Sequence, residues 1–149
     1  MNNYIEIKLP AYSINEAFAR NAIASFCVTL NPTIDEIDDI KTIVSEAVTN
    51  CIVHAYKHGD GNIILRARLS DDAVHIEVED FGMGISDLTN AVKPFVTDKA
   101  EDERSGMGFT IMRSFSDNFD VKNKADGGVI VKMCKRFGKK DVEAVTSVG

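Results

Sequence analysis

The chain has no tryptophan, and only three prolines, three cysteines and three tyrosines in 149 residues. Cys27, Cys51 and Cys134 are odd in number and widely spaced. That disfavours a disulfide framework and a paired-cysteine zinc site, and leaves three reduced thiols as the reading. No apolar run approaches the roughly 20 residues that span a bilayer. Met1-Asn2-Asn3-Tyr4-Ile5-Glu6 carries neither a basic nor an apolar leader stretch, so a cytoplasmic chain without a membrane partner is expected. Positive charge is also short: 17 Lys+Arg stand against 23 Asp+Glu, a net charge of −6. Generic nucleic-acid binding needs a basic field, and single-strand binding needs stacking aromatics, so direct nucleic-acid contact is not expected.

What is present is the composition of one globular domain, 44% hydrophobic and 27% charged, long enough to bury a core without a metal or disulfide. Ile5 to Leu9 alternates apolar and polar, which predicts an edge strand ended by Pro10. Ser13 and Glu16 have capping-box spacing, and Ile14, Phe18, Ala22 and Phe26 recur every four residues, predicting a helix to about Leu30. Thr33 and Glu36 form a second capping box. It opens a helix from about Ile34 to Tyr56, with Ile37, Ile40, Val44, Ala47, Cys51 and Ala55 on one stripe. Lys57 to Gly61 reads as a turn with glycine as the helix cap. The alternating runs Asn62–Leu69 and Val74–Asp80, joined by Ser70-Asp71-Asp72, predict a hairpin.

From Phe81 to Ser105 periodicity disappears, and a loop this long in a compact domain suits a lid. Helical spacing returns at Phe109, Met112 and Phe115. Strands at Phe119–Asn123 and Val129–Met133 then flank Ala125-Asp126-Gly127-Gly128. The order predicts an α+β fold, an α/β sandwich whose sheet is mixed or antiparallel with helices on one face. One domain is expected over residues 1–137, followed by a polar tail over 138–149.

Three constellations carry chemistry. Glu46, Asn50 and His54 recur at i, i+4 and i+8, on one face of the second helix. A carboxylate one turn from an amide oxygen suits a base beside a Mg²⁺ ligand, although a solvated helix face has the same pattern. Asp80-Phe81-Gly82-Met83-Gly84 ends a strand in an acceptor followed by glycines. That lets backbone approach a planar ligand bearing an amine, such as adenine; an ordinary turn is the alternative. Arg104-Ser105-Gly106-Met107-Gly108-Phe109 opens a helix with glycines that turn N–H groups outward, as a phosphate site does. An ordinary glycine-rich helix start reads the same way.

Together these strings resemble a family. Glu46–Asn50, Asp80–Gly84 and Ser105–Phe109 resemble the N, G1 and G2 boxes of the GHKL ATPase/kinase superfamily. The longer strings Val44–Asn50 and Glu103–Met112 resemble the anti-sigma factor serine kinases of Gram-positive bacteria, of the sporulation type. The resemblance runs from about residue 5 to 134. It implies a Bergerat-type fold with a mixed β-sheet, bound ATP or ADP with Mg²⁺, and a homodimer. It also implies two protein partners, a sigma factor that is sequestered and an anti-anti-sigma factor phosphorylated on serine.

By position, the resemblance makes Glu46 the base and Asn50 the Mg²⁺ ligand. Asp80 becomes the adenine anchor, with Gly82 and Gly84 shaping its pocket. Ser105, Gly106, Met107 and Gly108 become the phosphate-facing turn, and Thr97 and Lys99 become lid contacts. Arg20 and Arg104 are candidates to face protein partners, against the alternative of solvated arginines. One position departs: the family's Gly-Thr before the last strand is Gly128-Val129 here, which removes a hydroxyl from the adenine edge. Two other functions stay open, a nucleotide-gated sigma-binding module without kinase activity and a histidine-kinase-type ATPase domain. Glu46 and the lack of a phospho-accepting helical hairpin weigh against the second.

Overall fold

The computed structural model describes residues 2–86, 88 and 107–138. The elements run β1 (Tyr4–Pro10), α1 (Ile14–Phe26), α2 (Ile34–Asn50), β2 (Asn62–Ser70), β3 (Ala73–Asp80), α3 (Met107–Ser114), β4 (Asn118–Asn123) and β5 (Val129–Arg136). A 3₁₀ turn over Cys27–Leu30 extends α1, and a π-helical turn over Cys51–Ala55 extends α2. The five strands lie in the order β1-β2-β3-β5-β4. The α+β sandwich expected from the sequence is what the chain forms.

The mixed sheet is corrected. All four strand pairings are antiparallel, and no parallel pair occurs among the described residues. Two tight connections explain this. Ser70 sits opposite Ala73, so Asp71-Asp72 alone turns the β2–β3 hairpin. Gly127 and Gly128, both at positive φ, turn β4 into β5.

The core lies between the inner sheet face and the helices. Ile40, Ile43, Val44 and Val48 of α2 are fully buried, as are Ile63 and Leu65 of β2 and Val74 of β3. Phe109 and Met112 bring α3 into the same cluster, and the Phe109 ring sits 5.9 Å from that of Phe119 on β4. α2 is the middle helix, packed against α1 on one side and α3 on the other. Its expected stripe holds on α2 for Ile40, Val44 and Ala47, which are buried, with Ile37 partly buried; Cys51 and Ala55 are buried too, in the π turn.

Three local expectations fail. On α1 the core takes Ala19, Ile23 and Cys27, whereas Ile14 and Phe18 are 82% and 58% exposed. A four-residue repeat marks a stripe but does not say which of two adjacent stripes faces inward, and the small Ala19 permits the closer approach to α2. Ser13 makes no capping hydrogen bond, because it is itself helical (φ −54°, ψ −34°) and its backbone carbonyl accepts the Glu16 N–H at 3.2 Å; the Glu16 carboxylate pairs with Arg20 one turn on. After α2 the left-handed residues are Lys57 and His58, not a glycine. Gly61 is needed for room, since a Cβ there would stand 2.2 Å from the Tyr56 ring.

The three cysteines are buried and form no disulfide, and burial pushes the Cys27 thiol up to about 12. Among the described residues no helix is long and apolar enough to cross a membrane.

Candidate functional site

The Thr33 hydroxyl accepts from the Glu36 N–H at 3.1 Å, and the Glu36 carboxylate accepts from the Thr33 N–H at 2.8 Å. This capping box fixes the start of α2, and Glu46 and Asn50 lie one turn apart near its end. Asn50 is buried, at 7% exposure. The first turn of α3 lies against them. A Cβ on Gly108 would stand 3.4 Å from both Asn50 Nδ2 and Oδ1, and 3.5 Å from Glu46 Oε2. Those distances are ordinary van der Waals contact, so the first turn of α3 packs directly beside the carboxylate and the amide.

The π-helical turn begins at the residue after Asn50. Its wider winding ends the 3.6-residue spacing, so the i, i+4 relation holds for Glu46 and Asn50 but does not extend to His54. This corrects the expected α-helix to Tyr56. The turn also brings its own backbone to the end of β3, where a Cβ on Gly82 would meet Ala55 O at 2.5 Å.

Asp80 ends β3 and is 2% exposed. Its Oδ1 accepts from the Gly82 N–H at 3.0 Å and from the Val129 N–H at 3.1 Å. The contact at position 129 is a backbone one, so the Val that stands there leaves it intact. Gly128 has φ +89°, and a Cβ on it would fall 2.1 Å from Asp80 O. The β4–β5 turn thus crosses the end of β3 at a distance only glycine allows.

Sequence reasoning missed three residues around this acid. The Tyr56 phenol donates to Asn62 O at 2.6 Å and accepts from the Phe81 N–H at 2.7 Å, and burial raises its pKa above the ordinary value. Asn123 accepts from the Ile85 N–H and donates to Ile85 O, both at 2.8 Å, pinning the segment after Gly84 to β4. Gly84 itself has φ +79°. Lys124 Nζ lies 2.7 Å from Glu79 Oε2 and 3.6 Å above the Phe81 ring centroid. Burial would raise the Glu79 carboxyl, but the hydrogen bonds from Lys124 and Arg66 outweigh it and hold the pKa low. The one available signal was the position of Asn123-Lys124 between a strand and a glycine turn.

A recess of about 220 Å³ lies here, lined by Met83, Gly84, Ile85, Asn123, Gly127 and Gly128. A larger hollow of about 880 Å³ lies on the opposite, outer sheet face among Arg66, His75, Glu77 and Lys132. It touches none of the residues singled out from the sequence. The structure brings Glu46, Asn50 and Gly108 together, with Met107 just before Gly108 on α3, and the π turn after Asn50 reaches Gly82 beside Asp80; Gly84 lies instead against Asn123 and Gly128. Arg20 stands apart on α1, salt-bridged to Glu16. Thr97, Lys99, Arg104, Ser105 and Gly106 lie outside the described residues.

Residues 10–135 match the family model described as the histidine kinase-like ATPase domain. The chain is 49% identical over 138 residues to the anti-sigma F factor of Caldanaerobacter subterraneus subsp. tengcongensis, covering 93% of this chain and 96% of that one. Against the anti-sigma F factor of Bacillus subtilis it is 43% identical over 140 residues, with the same two coverages of 93% and 96%. The solved RsbU and RsbW domains of a Mycobacterium tuberculosis protein share the fold, with a TM-score of 0.65 at 19% identity. That match covers 91% of this chain and 32% of the longer one.

Proposed function

From the premise that the chain belongs to the histidine kinase-like ATPase domain family, and within it to the anti-sigma F factors, we propose a nucleotide-dependent anti-sigma factor. It holds a sporulation sigma factor away from RNA polymerase. With ATP and Mg²⁺ it also phosphorylates a serine on an anti-anti-sigma partner. The observation that supports this reading is the placement of the first turn of α3 beside Asn50 and Glu46, which would lie 3.4 Å and 3.5 Å from a Cβ on Gly108.

Each residue then has a role. Asp80, oriented by two backbone N–H groups, accepts the adenine amine; an ionised carboxylate has about four acceptor sites for such bonds. Gly82 and Gly84 let backbone approach the base. The N–H groups of Gly106, Met107 and Gly108 face the phosphates at the start of α3. Ser105, Thr97 and Lys99 complete the lid side, with Lys99 as a point charge.

The Asn50 amide oxygen is a hard donor one turn from the Glu46 carboxylate, a donor set that fits Mg²⁺. When bound, the ion supplies charge neutralisation at the phosphates. Glu46 orients the partner serine hydroxyl and takes its proton. Phosphoryl transfer depends on such positioning and electrostatics more than on covalent help. Arg20 and Arg104 face protein partners. The working form is a cytoplasmic homodimer whose domain spans residues 1–137, with 138–149 as a tail.

Capture of the purified sporulation sigma factor with ATP or ADP present tests this reading. Capture that differs between the two nucleotides is expected. In Asp80→Asn that difference should disappear while the fold, by circular dichroism, is kept. No capture with either nucleotide, or an unchanged response in Asp80→Asn, would contradict it.

A further inference from the structure

β3 ends in two consecutive carboxylates, Glu79 and Asp80, and successive strand residues face opposite sides of a sheet. Both carboxylates grip the β4–β5 turn. On the inner side Asp80 Oδ1 accepts the Val129 N–H at 3.1 Å. On the outer side Glu79 Oε2 accepts from Lys124 Nζ at 2.7 Å. The turn between these two anchors is closed by its own backbone. Lys124 N–H donates to Gly128 O at 2.9 Å, and Gly127 N–H donates to Lys124 O at 3.2 Å.

Lys124 is an unusual lysine for an outer sheet face. Its side chain is 12% exposed and that of Glu79 14%, whereas Lys122 and Lys132 on the same face are 66% and 50% exposed. Burying an ammonium costs free energy, and Glu79 does not need it for neutralisation, because Arg66 already donates to Glu79 Oε1 at 2.8 Å. What the ammonium adds is a tie across the end of β3. It joins the turn to Glu79 and also sits 3.6 Å from the Phe81 ring centroid, within cation–π range. The Phe81 N–H is held in turn by the Tyr56 hydroxyl at 2.7 Å. The preceding side chain, Asn123, holds Ile85 through two hydrogen bonds of 2.8 Å. The segment from Phe81 to Ile85 is thus fixed at its start by Lys124 and at its end by Asn123. Between them lies Gly82, whose N–H donates to Asp80 Oδ1 at 3.0 Å.

We propose that Lys124 is a positioning residue for recognition of the nucleotide base. By tying the β4–β5 turn to Glu79 and Phe81, it keeps the Val129 and Gly82 N–H groups on Asp80 Oδ1 and so aims that carboxylate at the exocyclic amine of adenine. The inference rests on the nucleotide site proposed above and adds to it a residue that acts through Asp80, not by contact with the nucleotide. A carboxylate with one oxygen fixed by two N–H donors presents its remaining acceptor positions in a set direction. Without the tie, the turn and the Phe81–Ile85 segment shift against β3. The bond to the base amine then weakens, while the phosphate end of the site is untouched.

Calorimetric titration with ADP tests this and needs no phosphoryl transfer. Lys124→Met keeps the aliphatic stem and leaves Glu79 bonded to Arg66, so no buried charge is orphaned. It should bind ADP about ten-fold more weakly, with unchanged stoichiometry. Lys124→Arg, whose guanidinium keeps the charge beside Glu79 and stacks on Phe81, should recover most of that affinity. The ADP analogue lacking the 6-amino group offers Asp80 no donor, so it should bind wild type and Lys124→Met alike. Unchanged ADP affinity in Lys124→Met would overturn the inference. So would equal weakening of ADP and the analogue, a fall in stoichiometry without a change in affinity, or an arginine variant no better than the methionine one. Each of these leaves the nucleotide site standing. Wild-type protein that binds ADP no more tightly than the analogue would overturn Asp80 as the adenine anchor as well.

Discussion

Asp80 Oδ1 is held by N–H groups from Gly82 and Val129, which come from segments that meet only in the folded chain. Gly128 makes that meeting possible. Gly128→Ala forces a Cβ to within 2.1 Å of Asp80 O at φ +89°, so both strain and a backbone clash follow. A loss of about 3 kcal/mol or more is expected in urea denaturation; a loss below about 1 kcal/mol would mean that the turn relaxes freely. At this scale the sequence was readable where neighbours lie in a short local string: Glu46 and Asn50 stand one turn apart on α2, and Asp80 bonds the Gly82 N–H. It was not readable for Tyr56, Asn123 and Lys124, whose partners Phe81, Ile85 and Glu79 lie 25, 38 and 45 residues away. Each of these side chains is defined by a contact that no local pattern encodes.

Two capping boxes with the same spacing behave differently at the level of the helix. Thr33 and Glu36 exchange both bonds. Ser13 makes none, because it is helical where Thr33 is extended, and its backbone carbonyl takes the Glu16 N–H. Thr33→Ala should therefore cost about 1 kcal/mol, and Ser13→Ala close to nothing, in the same urea titration. Equal losses would contradict the assignment. The stripe on α2 was legible because that helix packs on both sides and offers one consistent apolar face. On α1 only one flank is covered, and the four-residue repeat pointed to the exposed stripe. The π turn after Asn50 had no sequence signal, since it is a shift in backbone hydrogen bonding. It nonetheless carries Ala55 O to the Gly82 backbone.

At the scale of the whole molecule, element order sufficed for the α+β class and the two short turns for the β2–β3 and β4–β5 directions, while the antiparallel β1–β2 and β3–β5 pairings join strands distant in sequence. The outer sheet face carries a cross-strand row of alternating sign, Glu6, Arg66, Glu77, Lys132 and Asp120. It is largely self-neutralised, so the net charge of −6 is not gathered there. Under the proposed function, an anionic nucleotide would therefore be held by local groups: the α3 N-terminus, Asn50 with Mg²⁺, and Lys99. Radiolabelled ATP, Mg²⁺ and a serine-bearing anti-anti-sigma factor test that arrangement as a catalyst. Wild-type protein should transfer the γ-phosphate to the partner serine, and Glu46→Gln should transfer it about 10²–10⁴-fold more slowly while still binding ATP. No transfer by the wild type, or undiminished transfer by Glu46→Gln, would contradict it.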